Sequence, residues 1–175
     1  GLALSAVRDL MPATGATDTV TGSKYLVRHG STQVLVDCGL FQGYKQLRLR
    51  NWNAPPFVPA ELDAVVLTHA HIDHSGYLPL LVRQGFRGRV FCSHATLDLA
   101  RILLPDSGHL LEEEAEYLNR HHLTRHEPAL PLYTREDAMH SLKHLRGIDW
   151  QRRITLGDGL TLELSPAGHM PGASF

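Results

Sequence analysis

Ala64-Val65-Val66-Leu67-Thr68-His69-Ala70-His71-Ile72-Asp73-His74 is the stretch that decides the fold of this chain. Its first four residues are apolar, β-branched in the middle and preceded by Asp63, the pattern of a buried strand. His69 and His71 follow in a segment still extended from that strand. Side chains two apart on an extended backbone share a face, so both imidazoles can grip one metal ion. Asp73 and His74 come where the chain turns into the helical pattern Gly76-Tyr77-Leu78-Pro79-Leu80-Leu81 and point elsewhere, toward a second ion. Three imidazoles and a carboxylate this close suit zinc, which takes nitrogen and oxygen ligands and leaves a position for water. The competing reading is a histidine-rich polar loop, against a background of 12 histidines in 175 residues. Spacing, strand context and residue types together favour the metal.

Composition sets the frame around that stretch. The length is that of one domain or of one lobe of a larger protein. A chain 43% hydrophobic and 20% charged has the apolar content for a real core. The net charge of -1 does not advertise a nucleic-acid partner in bulk, which leaves only a local basic patch for that role. No apolar run reaches the roughly 18 residues of a membrane span. The opening Gly1-Leu2-Ala3-Leu4 is neither an initiator methionine nor a basic leader, and it reads as a fragment. Cys38 and Cys92 are too few for a disulfide framework. They fit buried thiols in a reducing cytoplasm.

Working back toward the N-terminus, Gly15-Ala16-Thr17-Asp18-Thr19-Val20-Thr21-Gly22-Ser23 is a small, polar loop. Lys24-Tyr25-Leu26-Val27 and Gln33-Val34-Leu35-Val36-Asp37 flank a turn at His29-Gly30-Ser31 and form a hairpin. Asp37 ends the second strand. It is either a cap for the turn into Cys38-Gly39 or a carboxylate that bonds the far nitrogen of a metal-bound histidine and fixes its tautomer. Lys45, Arg48 and Arg50 make a short basic segment, read as a solvated face with polyanion contact as the alternative. A proline-rich connector spans residues 53–59.

Toward the C-terminus, residues 75–84 are expected as one helix closed by Gly85, and Arg89-Val90-Phe91-Cys92 as the next strand. The region 95–122 is expected as two helices separated by Pro105-Asp106-Ser107-Gly108, with Glu112, Glu113, Glu114 and Glu116 solvated on the second. After a polar loop, Thr134 caps a helix in an acidic capping box with Asp137. His140 and His144 have helical metal spacing but offer no carboxylate beside them except Glu136, so they read as surface histidines. Residues 153–156 and 160–165 form a hairpin around Gly157-Asp158-Gly159. The second strand runs into Pro166-Ala167-Gly168-His169-Met170-Pro171-Gly172, and His169 is a further ligand or a lone loop histidine.

His69-Ala70-His71-Ile72-Asp73-His74 resembles the His-x-His-x-Asp-His motif of the metallo-β-lactamase superfamily. The Gly15 to Ser23 loop, Val36-Asp37-Cys38-Gly39-Leu40-Phe41-Gln42-Gly43 and Ser165-Pro166-Ala167-Gly168-His169 resemble its β-CASP branch of RNA-processing nucleases, which includes ribonuclease J and the endonuclease of the pre-mRNA cleavage and polyadenylation factor. The likeness extends from Gly15 to Phe175. It implies an α/β fold of the αββα sandwich type, with residues 1–175 as the N-terminal part of the metallo-β-lactamase domain. The cap domain, a bridging aspartate and a further histidine would lie beyond Phe175.

The resemblance also implies two zinc ions, His69, His71 and His169 on one, Asp73 and His74 on the other, and Asp37 behind them. The implied activity is hydrolysis of RNA phosphodiester bonds by a metal-activated hydroxide, from a water whose pKa falls to about 7. Asp73 would orient that hydroxide and accept its proton. The rivals are a thioester, lactone or lactam hydrolase of the same superfamily, a non-catalytic nuclease-like scaffold, and a redox or metal-storage protein. Half a sandwich leaves sheet uncovered, so self-association into a homo-oligomer is also expected.

Overall fold

The computed structural model describes residues 9–12, 21–124 and 126–175. A six-stranded sheet runs in simple spatial order: β1 (Asp9–Pro12), β2 (Tyr25–His29), β3 (Thr32–Val36), β4 (Ala64–Val66), β5 (Arg89–Ser93) and β6 (Leu145–Ile148). The first three strands pair antiparallel, and β3 to β6 pair parallel. A second, two-stranded sheet pairs β7 (Ile154–Gly157) with β8 (Leu160–Leu162).

Strand alternation assigns each face of the large sheet to its own core. Leu35, Val65, Val90 and Cys92 point to one side, where they meet Leu78, Leu81, Leu97 and Leu104 of the helices and Tyr133 of the loop leading into the helix that begins at Arg135. Val34, Ala64, Val66, Phe91 and Ile148 point to the other, against Ile154, Leu160, Leu162 and Leu164 of the small sheet and its exit. Burial on both faces explains why β4 reads as an unbroken apolar run. Helix, sheet and sheet are thus layered as the first three layers of the expected αββα sandwich. The helices are α1 (Lys45–Leu49), α2 (Ile72–Ser75), α3 (Leu78–Arg83), α4 (His94–Arg120) and α5 (Arg135–Ser141).

Four local expectations are corrected. The single helix over 75–84 is instead α2 and α3 with a break at Gly76-Tyr77, because the Tyr77 N–H donates to Cys38 O rather than continuing the helix, and Pro79 opens α3. The two helices of 95–122 are one 27-residue helix that runs through Pro105. The missing N–H of Pro105 is outweighed by tertiary anchoring around it: Ser107 Oγ lies 2.8 Å from Tyr133 Oη, and Gly108 lies against the Thr134 and Arg135 backbone. His140 and His144 do not share a helix, since α5 ends at Ser141, and His144 Nδ1 lies 2.8 Å from Gly88 O. Strand β6 has no counterpart in the sequence expectations. The Thr134 capping box forms as expected, with Asp137 N donating to Thr134 Oγ1 at 3.0 Å and Thr134 N to Asp137 Oδ2 at 3.0 Å. Residues 15–20 of the Gly15 loop lie outside the described residues.

Candidate metal centre

The centre is assembled at the C-terminal ends of the parallel strands, where β3 delivers Asp37 and β4 delivers Thr68. Asp37 is 3% exposed and has a φ of 60°, a left-handed turn that swings its carboxylate back under the next loop. Its Oδ1 accepts from Thr68 N at 2.8 Å and Thr68 Oγ1 at 2.9 Å, and its Oδ2 lies 2.7 Å from His74 Nδ1. Of the two roles the sequence leaves open, the carboxylate takes the imidazole: it bonds Thr68 and His74, while the N–H groups of residues 38–40 go to the His74, Ser23 and Ile72 carbonyls.

Backbone bonds bolt α2 across that turn. Cys38 N donates to His74 O at 2.7 Å, Leu40 N to Ile72 O at 2.9 Å, and Ser23 N to Asp73 O at 2.9 Å. The approach is so close that a Cβ built on Gly39 would sit 1.6 Å from Asp73 O. The His169 loop is tied just as firmly. Ser93 Oγ and Thr96 Oγ1 donate to Gly172 O at 2.7 and 2.9 Å, and Ser174 N donates to Thr68 O at 2.9 Å.

Three imidazoles converge as a result. Nitrogen atoms of His69, His71 and His169 all lie within 4.8 Å of one another, and the three rings meet edge to face. His69 Nε2 faces His71 Nδ1 at 3.1 Å. Asp73 and His74 form the adjoining pair, with Asp73 Oδ2 3.7 Å from His74 Nε2, and the His74 ring lies 4.0 Å from that of His69. All five residues singled out from the motif and the later loop are thus gathered at one place, with Asp37 behind them.

Sequence reasoning assigns Thr68 no role, and the structure supplies one. Its hydroxyl hydrogen goes to the acceptor-only carboxylate of Asp37, so its oxygen is left to accept from His69 Nδ1 at 2.9 Å. That fixes the tautomer of His69 and turns the lone pair of Nε2 toward His71. Asp37 does the same for His74 through Nδ1, leaving Nε2 free beside Asp73. A threonine directly before such a histidine, on a strand next to a buried aspartate, was the available signal.

Electrostatics follow the same division. Burial, then the neighbouring His74, His71 and His169, pull the pKa of His69 down from 6.5 to about 4, against the pull of Asp37. His69 is therefore a neutral imidazole at physiological pH, the form that ligates metal. Burial also pulls on His74, but the hydrogen bond and charge of Asp37, with Asp73, outweigh it and raise its pKa. Three imidazoles with nitrogens within 4.8 Å of one another, one of them oriented by Thr68, fit a divalent metal ion of borderline softness. Cys38 and Cys92 are buried and unpaired, and burial raises both thiols to about 12, so neither competes as a ligand.

The family model of the metallo-beta-lactamase superfamily matches residues 18–88 of this chain, the stretch that carries the first parallel strands of the sheet and the His-x-His-x-Asp-His motif. Among curated proteins it is 40% identical over 163 residues to ribonuclease TTHA0252 of Thermus thermophilus, covering 92% of this chain and 33% of that protein. It is 31% identical over 161 residues to the transcription termination factor FttA of Methanocaldococcus jannaschii, covering 92% of this chain and 23% of that one. The chain therefore spans a third or less of these relatives. Among solved structures, MEM-A1, a subclass B3 metallo-beta-lactamase from a soil metagenome library, superposes with a TM-score of 0.52 at 19% identity, over 89% of this chain and 50% of that one. That likeness shows the shared fold. No helix among the described residues is long and apolar enough to cross a membrane.

Proposed function

We propose that this chain is the N-terminal, metal-binding part of the metallo-β-lactamase domain of a β-CASP nuclease, and that it hydrolyses RNA phosphodiester bonds. The observation that carries the proposal is the convergence of His69, His71 and His169 beside the Asp73–His74 pair. The name of the ribonuclease relative points it toward RNA. On this reading His69, His71 and His169 hold one zinc ion, and Asp73 and His74 contribute to a second. When bound, the metal supplies positive charge for the scissile phosphate and a water of lowered pKa.

The chain's own residues do the rest. Thr68 and Asp37 keep His69 and His74 in ligating tautomers. Asp73 orients the attacking water and holds its proton on a carboxylate oxygen, as a general base must. A reducing cytoplasm suits the two unpaired thiols, and self-association along a sheet edge belongs to the same proposal. A monomer mass that stays constant with concentration in light scattering rules self-association out.

The test is an assay panel on the full-length protein, with RNA set against thioester, lactone and lactam substrates. RNA cleavage that is lost in Asp73→Asn, with an unchanged circular dichroism spectrum and melting temperature, is the expected result. Full activity in Asp73→Asn refutes the role of Asp73, and turnover of a small ester but not RNA refutes the substrate.

A further inference from the structure

A cleft of about 320 Å³ opens where none of the candidate metal ligands lines it. Its walls are Lys24, Phe41, Arg50, Tyr77 and the stretch 53–56. That volume is at the lower end for small-molecule sites. Lys24 is the unusual member, at only 4% exposed. Its ammonium donates to Gly39 O and lies 4.4 Å from the centre of the Tyr77 ring and 5.0 Å from that of Phe41. The Arg50 guanidinium lies 5.6 Å from the same Phe41 ring.

Two cations thus converge on one aromatic side chain. Among the described residues neither is paired with a carboxylate, whereas the neighbouring Arg48 takes Glu114 at 3.2 Å. A buried ammonium without a counter-anion is costly, and ring faces offset only part of that cost. Burial holds the Lys24 pKa down to about 8, so the group is still mainly charged at neutral pH. One carbonyl uses one of its three N–H groups, and among the described residues no second acceptor is bonded to it.

An anion is what the described lining of the cleft lacks. A phosphate monoester carries up to two negative charges and oxygens spaced for the guanidinium fork, which suits a paired lysine and arginine better than a single carboxylate does. The segment that carries Arg50 also exposes Tyr44, at 84%, and Trp52, at 57%, outside the lining of the cleft. Exposed aromatic faces next to basic side chains are stacking platforms for nucleobases.

We propose that the Lys24–Arg50 cleft binds a phosphate carried by a nucleotide, at a site separate from the metal centre. The phosphate comes either from a free mononucleotide or from a strand of RNA. This inference does not rest on the RNA-cleaving reading.

Isothermal titration calorimetry on the full-length protein, before and after chelation of metal, tests it. The probes are inorganic phosphate, AMP and a short oligoadenylate. Binding that survives chelation and falls by about tenfold or more in Arg50→Ala is expected, since a charge-assisted hydrogen bond is lost. Arg50 is exposed, so that variant keeps the fold, and Lys24→Met should weaken binding further. Arg50-dependent binding of AMP and phosphate assigns the site to free nucleotides. Arg50-dependent binding of the oligonucleotide alone assigns it to a strand. No binding after chelation by any probe, or binding that Arg50→Ala leaves unchanged, overturns the proposal.

Discussion

Asp37→Asn separates the two halves of the metal centre in a single substitution. Asparagine has the size of aspartate and tolerates the left-handed backbone at this position, so strain does not enter. The Oδ1 atom stays, and with it the bonds from Thr68 N and Thr68 Oγ1 at 2.8 and 2.9 Å. Thr68 therefore still fixes the tautomer of His69. What changes is the atom 2.7 Å from His74 Nδ1, where a carboxylate oxygen becomes an amide N–H. Two donors then face each other, and His74 must move its proton to Nε2 or turn away. Loss of a hydrogen bond to a charged group costs about 1.5–3 kcal/mol, and urea unfolding of the metal-free full-length protein should show a loss of that size. Loss of the partner behind a ligating histidine lowers metal affinity by about 10–100-fold. On the proposed two-ion reading, that loss should fall on the ion assigned to Asp73 and His74, and the ion assigned to the three histidines should be held as before. Zinc titration against a competing chromophoric chelator measures both affinities. Unchanged stability with both affinities intact, or equal loss at both sites, refutes the assignment of Asp37 to His74.

The metal-free protein should also show a pH signature. His69 binds its proton at about pH 4 when folded and near 6.5 when unfolded, so stability is present above 6.5 and lost as pH falls toward 4. The shift bounds the loss at about 3 kcal/mol, or about 1–2 once water at the open ring edge screens it, and His69→Gln should flatten that limb of the unfolding profile. The raised pKa of His74 acts in the opposite sense. It favours folding below 6.5, and that contribution is lost as pH rises through its folded value, so a stability maximum near pH 6.5 is expected. Gly39→Ala should fail to give soluble folded protein, or should lose more than about 4 kcal/mol, because the added carbon meets the Asp73 backbone; a normal urea midpoint contradicts this. Thr134→Ala removes the cap of α5 and should cost about 1 kcal/mol in the same assay without touching zinc affinity.

The parts of the fold legible in the sequence were those governed by neighbours along the chain. His69 and His71 lie close together just past the apolar run, although β4 itself ends at Val66 and the chain bends at Thr68, and Thr134 caps because Asp137 lies three residues on. His169 was legible from its place just past a strand. The misses were set by residues far away in sequence. The break between α2 and α3 comes from Cys38, whose carbonyl takes the Tyr77 N–H that a longer helix would have used. Pro105 sits within α4 because contacts from Tyr133 to Arg135 hold the helix at Ser107 and Gly108, just beyond it. Strand β6 has Gly147 where a β-branched residue would be expected, and the reason is the His94 ring, which a Cβ there would approach to 2.5 Å. Asp37 was undecided between two roles because its partners, Thr68 and His74, lie 31 and 37 residues away.

The bonds that run from the 38–40 turn to the carbonyls of α2 also bear on where this chain can change its length. Each donor in the turn meets a particular carbonyl, so one residue added or removed between Asp37 and Leu40, or between His71 and Tyr77, shifts the whole set by a position and rotates Asp73 and His74 away from their partners. Phe41 is held as well, its N–H and carbonyl both bonded to Asn51 at 2.9 Å. Between Trp52 and Pro59 no such pairing operates, and the backbone runs mostly exposed. Insertions introduced there should leave the spacing of the metal ligands unaltered, whereas a single-residue frame change in the turn should erase it.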